Sequence, residues 1–372
     1  PGMTDLVLAA VKEGRPVNCA LPSAALESVM GIKDAKAAAC LDFNNKPLVL
    51  TEKLDALGKP IPGKSSYYPD TNSPVFRQYV ASAIALTKAA GCTSLHQDNP
   101  LFMYSPPLNA KGCRAKDSQT KVLADLRAYY TWLSANVDKV YKRHVPLTYN
   151  KLIHKNGDQI ADFFDAVVTE WFLKYNDPYL LYDKIYAVNG AKFHLTTATT
   201  LRSRNKLDQQ RHIASVYALG GNPIFPWDIF VGLTKERFYG KVADYLDYYR
   251  LVQANRALFE GHKLMDAHAD GAAGKKAFNR KGLAVSGDDG ALLVTLRGNP
   301  VNGSRVLHIV NWRATKRDLK ILLPTNAFDS APRSAMLSRP GERDLKLTLT
   351  KSGTGYLLSV PGVNVWAVIE IR

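Results

Sequence analysis

No stretch of this sequence comes near the roughly 20 consecutive apolar residues that a bilayer-crossing helix requires. No membrane span is therefore expected, and the hydrophobic fraction of 46% with a charged fraction of 22% is ordinary for a core-forming globular chain. Histidine is scarce: the eight residues are scattered without ligand spacing. The four cysteines, Cys19, Cys40, Cys92 and Cys113, form no C-x-x-C pair and no Cys/His cluster. A zinc site on such residues is not expected, and no cofactor is implied. Two disulfides remain open, but three of the four cysteines sit in or beside strand-like segments, where cysteine commonly serves as a small apolar residue. Free thiols are the expectation. The opening Pro1-Gly2-Met3-Thr4 shows neither a basic nor an apolar leader segment, so no signal peptide is read there. Internal repeats are also lacking.

Acidic residues are short as well, 33 Asp and Glu against 49 Lys and Arg, for a net charge of +16. The excess is uneven. Residues 271–372 hold 16 basic against 7 acidic residues, a net of +9. A field of that sign attracts polyanions such as acidic polysaccharide, anionic envelope or nucleic acid, or serves only solubility. Nucleic-acid binding calls for aromatics interleaved with Lys and Arg, which this basic tail shows little of, so no nucleic-acid partner is expected.

At 372 residues the chain exceeds the size at which one core usually keeps growing, which favours one large domain plus an appendage. From about 75 to 230, amphipathic helices alternate with short β-rich runs, the pattern of βα units around a parallel sheet. Ser73-Pro74 supplies an N-cap and a proline at the first helical position, and Phe76, Val80 and Ile84 then repeat on one face. Val122, Leu126, Tyr130, Leu133, Val137 and Val140 do the same from about 118 to 142. Strands are predicted at 92–98, 145–149, 165–170, 192–197 and 222–227. Two earlier ones are predicted at 16–20 and 38–43, with a third inside 44–70, which makes the 92–98 run strand four. A helix from about Thr234 to Phe259 is expected to close the barrel. Beyond it the period changes to short strands separated by Gly, Pro, Asn and Asp. The reading is an α/β chain: a (β/α)8 TIM-type barrel over 1–270, a linker at 271–279 and a small all-β sandwich over 280–372.

In such a barrel the functional groups sit at the C-terminal ends of the strands, because the loops there form the open pocket. Asp98 and Glu170 each end a run of apolar and hydroxyl residues, where a charge is costly without a task. Glycosidic hydrolysis uses such a pair, one group protonating the departing oxygen while the other attacks or activates water. Glu170 ends an apolar strand and precedes Trp171, surroundings that favour a retained proton. Asp98 lies between Gln97 and Asn99, whose amides suit an ionised carboxylate. The plain alternative is that Asp98 caps the next loop and Glu170 is half-exposed at a strand end. Tyr149, Asn150, Trp171, Trp227 and Asp228 at neighbouring ends, with His96 and Asn99, have the aromatic and hydrogen-bonding character that sugars require. Any one of the aromatics can instead plug the barrel top.

The segment Asn72-Ser-Pro-Val-Phe-Arg77 with Ala90-Gly-Cys-Thr-Ser-Leu-His-Gln-Asp98 resembles the run into strand four of barrel glycoside hydrolases. Phe164-Asp-Ala-Val-Val-Thr-Glu170 is similar to their strand six, and Leu307-His-Ile-Val-Asn-Trp312 resembles the sandwich domain that follows such barrels. The placement resembles the dextranase-like and α-galactosidase-like retaining enzymes. It implies Asp98 as nucleophile, Glu170 as acid/base, and retention. The implied function is hydrolysis of a polysaccharide or oligosaccharide, with acidic and amino-sugar polymers among the candidates, by a secreted or periplasmic enzyme. A non-catalytic carbohydrate-binding barrel and a metal-dependent polysaccharide deacetylase are the alternatives.

Overall fold

The computed structural model describes residues 11–14, 17–42, 44–97, 110–111, 119–151, 160, 162–169, 177–179, 181–182, 193–197, 206–224, 242–270, 276–277, 282–286, 291–313 and 315–372. They fall into two compact units, Pro1–Val168 and Thr169–Arg372.

In the first unit, the strands Asn18–Leu21, Ser94–Gln97, Leu147–Lys151 and Ala166–Thr169 lie side by side in that order. The first three are parallel, with Leu21 opposite Gln97 and Gln97 opposite Tyr149. The helix Pro74–Ala89 starts where its cap predicts: the Ser73 hydroxyl accepts the Phe76 N–H, Pro74 needs no partner in the first turn, and Phe76, Val80 and Ile84 are buried. The second helix, Gln119–Tyr141, buries Leu126, Tyr129, Tyr130, Leu133 and Val137. Both helices pack on one face of the strands through Leu21, Leu95, Leu147 and Tyr149. Because strand side chains alternate, this assigns Asn18, Ala20, Ser94, His96 and Thr148 to the other face.

The strand count differs from expectation. The 94–97 strand pairs directly with 18–21, so among the described strands of this sheet the one preceding Asp98 is the second and the one preceding Glu170 is the fourth. Residues 22–73 supply no βα unit. They fold as a lobe in which Ala25–Leu26, Ser66–Tyr67 and Val49–Thr51 make a small antiparallel sheet, while Leu41–Asp42 pairs antiparallel with Ala110–Lys111. Turns dominate there: the Asp42 and Asp55 carboxylates each accept two backbone N–H groups, fixing tight loops in the stretch where a third barrel strand was expected.

The cysteine expectation is overturned. Cys19 and Cys92 form a disulfide spanning 73 residues, Cys40 is also disulfide-bonded, and no described cysteine is free. The bridge ties the first strand to the residues entering the next, a proximity that becomes visible only once those two strands are neighbours.

In the second unit, Phe193–Thr197 pairs parallel with Gly221–Ile224 across the helix Lys206–Ala218. The expected closing helix is present as Leu246–Ala254 and Arg256–Phe259; residues 225–241 lie outside the described set. A seven-stranded sheet then begins at Lys263–Asp270, ahead of the stretch read as a linker, and faces a four-stranded sheet. Leu292, Val294, Leu296, Leu307 and Ile309 of the first sheet meet Leu319, Ile321, Leu323, Leu358 and Val360 of the second, which is the expected sandwich. The other face of the seven-stranded sheet is covered too. Leu293, Val310, Trp366 and Val368 pack against Ile213, Tyr217, Tyr248 and Leu251 of the helices. Strands Leu292–Gly298 and Arg305–Asn311 are consequently buried at every position.

Candidate functional site

Of the nine site residues named from sequence, Asp98, Asn99, Glu170, Trp171, Trp227 and Asp228 lie outside the described residues, and of Asn150 only the backbone, in strand Leu147–Lys151, is described. His96 and Tyr149 are described fully, and the pleat separates them.

His96 is half-buried on the face turned away from the helices, opposite Thr148 in the parallel register. Its Nδ1 is 2.8 Å from Thr148 Oγ1, and the same hydroxyl accepts from Asn18 Nδ2 at 3.4 Å. Three adjacent strands thus join their side chains into one polar patch. Asn18 and Ala20 are exposed, so solvent reaches this face. Neither Asn18 nor Thr148 was singled out from sequence. Their signal was the register of the 16–20 run against 92–98, which the misplaced third strand obscured.

Tyr149 belongs to the other face and is a correction. It is 1% exposed, it packs in the core with the helices, and its ring stacks on Phe164 at 4.3 Å between centroids. A sugar ring cannot reach it, because a strand puts successive side chains on opposite faces and Tyr149 follows Thr148.

Two other carboxylates in this unit are satisfied structurally. Asp165 Oδ2 accepts the Leu147 N–H at 2.8 Å, and its Oδ1 lies 3.1 Å from His144 Nε2, which pins the starts of two strands. Glu27 is buried in the lobe and accepts from Gly63 N, Ser65 N and Tyr67 OH. Burial alone would raise its pKa, but the hydrogen bonds from Tyr67, Ser65 and Gly63, with the Lys36 charge, outweigh that and lower it. Burial, then the Glu27 hydrogen bond and charge, push Tyr67 up to about 12. Among the described residues no group of three or more His, Cys, Asp or Glu could hold a metal ion, and no helix is long and apolar enough to cross a membrane.

No protein-family model matches the sequence, and no curated protein matches it. Solved structures do. The chain is similar to an alpha-amylase from H. orenii (TM-score 0.57, 13% identity, covering 99% of this chain and 83% of that one). It is similar to a debranching enzyme from Nostoc punctiforme (TM-score 0.59, 10% identity, 98% and 78%) and to a GH27 β-L-arabinopyranosidase from Geobacillus stearothermophilus (TM-score 0.55, 10% identity, 100% and 77%). These neighbours are (β/α)8-barrel glycoside hydrolases, and the likeness shows the class of fold: a (β/α)8-type barrel chain. At such identities it is the backbone path that is shared.

Proposed function

We propose that this protein is a glycoside hydrolase acting on a polysaccharide or oligosaccharide that is acidic or embedded in an anionic matrix. The observation that carries the reading is the polar patch of Asn18, His96 and Thr148 on a solvent-reached strand face of a barrel-type fold, with Asp98 two residues beyond His96 in sequence. Catalytic groups of barrel enzymes come from the loops that follow such strands. The named activities of the structural neighbours point the same way. Their substrates are not carried over.

In this reading Asp98 is the nucleophile or base and Glu170 the general acid. The assignment rests on their flanking residues and on the resemblance to the dextranase-like and α-galactosidase-like enzymes. Carboxyl groups roughly 5 to 5.5 Å apart mean retention, and roughly 6.5 to 9.5 Å inversion; we propose retention. Asn99, Asn150, Trp171, Trp227 and Asp228 are the proposed sugar contacts. The Cys19–Cys92 disulfide supports an exported protein, because such bonds persist in oxidising compartments.

A reducing-end assay across neutral, acidic and amino-sugar polymers tests the reading. Release of reducing ends from an acidic or amino-sugar polymer is expected. Activity on neutral glucans alone removes the electrostatic part, and no release from any polymer overturns hydrolysis.

A further inference from the structure

The four-stranded sheet of the second unit runs in the order Ala284–Ser286, Arg317–Pro324, Gly355–Val363, Leu349–Ser352. Its middle strand alternates strictly: Leu319, Ile321 and Leu323 enter the sandwich core, and Asp318 and Lys320 point out. The register sets Ser286 and Ser359 on either side of Lys320, and Leu322 beside Leu357 beside Thr350. A groove of about 760 Å³ crosses this outer face, with Lys346 and Thr348 on its border.

The charges of the groove are not balanced. Its carboxylate, Asp318, is engaged by the Gly362 N–H at 2.7 Å. Lys320 and Lys346 have no carboxylate partner among the described residues. Around them stand hydroxyls of Ser286, Ser359, Thr348 and Thr350, and between them the apolar surfaces of Leu357 and Pro361. Among the described residues no aromatic side chain lines it.

We propose that this groove is a binding site for an anionic polysaccharide chain, remote from the candidate catalytic residues in sequence and carried by the β-domain itself. Three observations fit that occupant. Lysines are mobile point charges on long stems, which suits carboxylates or sulfates repeating along a chain better than one rigid ligand. Hydroxyls beside apolar patches match sugar hydroxyls and C–H faces. The volume falls in the roughly 300–1,000 Å³ range of sites that hold drug-sized ligands, which is a few sugar units. The net +9 of residues 271–372 adds long-range attraction. Single-stranded nucleic acid fits less well, because its bases need aromatic platforms. The inference rests on the carbohydrate-active reading and deepens it.

The test is affinity electrophoresis of the full chain at low ionic strength in gels containing alginate or dextran, with DNA as competitor. The variants are K320E/K346E, the milder K320Q/K346Q in case reversal disturbs folding, and R333E as a control on an exposed residue outside the groove. Alginate should retard the wild type and R333E equally. K320Q/K346Q should bind roughly tenfold more weakly with a shallower salt dependence, as expected when two charges are removed, and K320E/K346E, which reverses them, should bind more weakly still. Dextran should retard none of them. Equal retardation of wild type and both double variants overturns the proposal, as does retardation by dextran equal to that by alginate, or DNA binding tighter than alginate binding and lost in the same variants. Alginate binding without hydrolysis of any polymer counts against the catalytic reading and supports the groove. Hydrolysis with binding indifferent to the lysines does the reverse.

Discussion

His96 and Thr148 face each other across adjacent parallel strands with Nδ1 and Oγ1 2.8 Å apart, on the side of the sheet opposite the helices. The threonine orients the imidazole, so the two residues should behave as a unit. His96→Ala should lower kcat/KM by about tenfold or more with folding unchanged, as positioning effects do, and Thr148→Val should lower it less. Adding Thr148→Val to His96→Ala should change little further. Additive losses in steady-state kinetics would separate them.

Asp98→Asn and Glu170→Gln should each fold normally and lose at least ~10²-fold in rate, the scale of a positioned acid or base. Single-turnover measurement on the best polymer of the panel decides it. Near-normal turnover in either variant redirects the search to Asp228.

Tyr149 gives the opposite pattern. Its ring is buried against Phe164, so Tyr149→Ala should cost about 3–5 kcal/mol of stability. Tyr149→Phe should leave kcat/KM unchanged. A denaturant titration run beside the assay checks both; a rate loss in the Phe variant would return Tyr149 to the site.

The Cys19–Cys92 bridge closes a 73-residue loop. Its removal in Cys19→Ser/Cys92→Ser should lower stability by about 2–4 kcal/mol, chiefly by freeing the unfolded chain. Urea unfolding of the variant against the oxidised wild type measures this.

His308 is buried in the second unit, between Phe259 and Trp366, and among the described residues neither ring nitrogen has a hydrogen-bond partner. Burial, then the charges of Arg297 and His262, hold its pKa well below the usual imidazole value. The unfolded chain therefore binds this proton at a higher pH than the folded one does. Stability is full above the ordinary histidine pKa of about 6.5 and falls as pH drops below it. Melting temperature should decline from pH 7.5 to 5, and His308→Leu should flatten that decline. An unchanged slope would assign the acid sensitivity elsewhere, with His262, also lowered by burial, next in line.

Local rules were legible where local physics decides. Ser73-Pro74 announced the Pro74–Ala89 helix, and the two-residue alternation of Leu319, Ile321 and Leu323 announced a half-buried strand. The Lys263–Asp270 strand was passed over although Met265, Asp266, Ala267, His268, Ala269 and Asp270 alternate apolar with polar, because alanine and aspartate are depleted in strands; its pairing with Leu293–Gly298 and the Asp266 carboxylate accepting Ala267 N and Leu283 N hold it. The third barrel strand expected inside 44–70 failed for a different reason. Residues 44–70 alternate little, and their structure is set by aspartate-anchored turns and by Glu27 reaching across the lobe. For the site, sequence named the strand ends, but only the register could separate His96 from Tyr149.

Both faces of the seven-stranded sheet are covered, one by the four-stranded sheet and one by the helices Lys206–Ala218 and Leu246–Ala254. Trp312 Nε1 reaches Ser215 Oγ at 3.1 Å, and Thr295 Oγ1 donates to the Ala218 carbonyl at 2.8 Å. The β-domain is therefore no detachable bead. Cutting the gene at residue 270 would strip the helices of their cover and leave the excised fragment with a naked apolar flank, so both pieces should be sticky and poorly expressed. A swap of this domain into another chain of the same fold would succeed only if those two helices travelled with it.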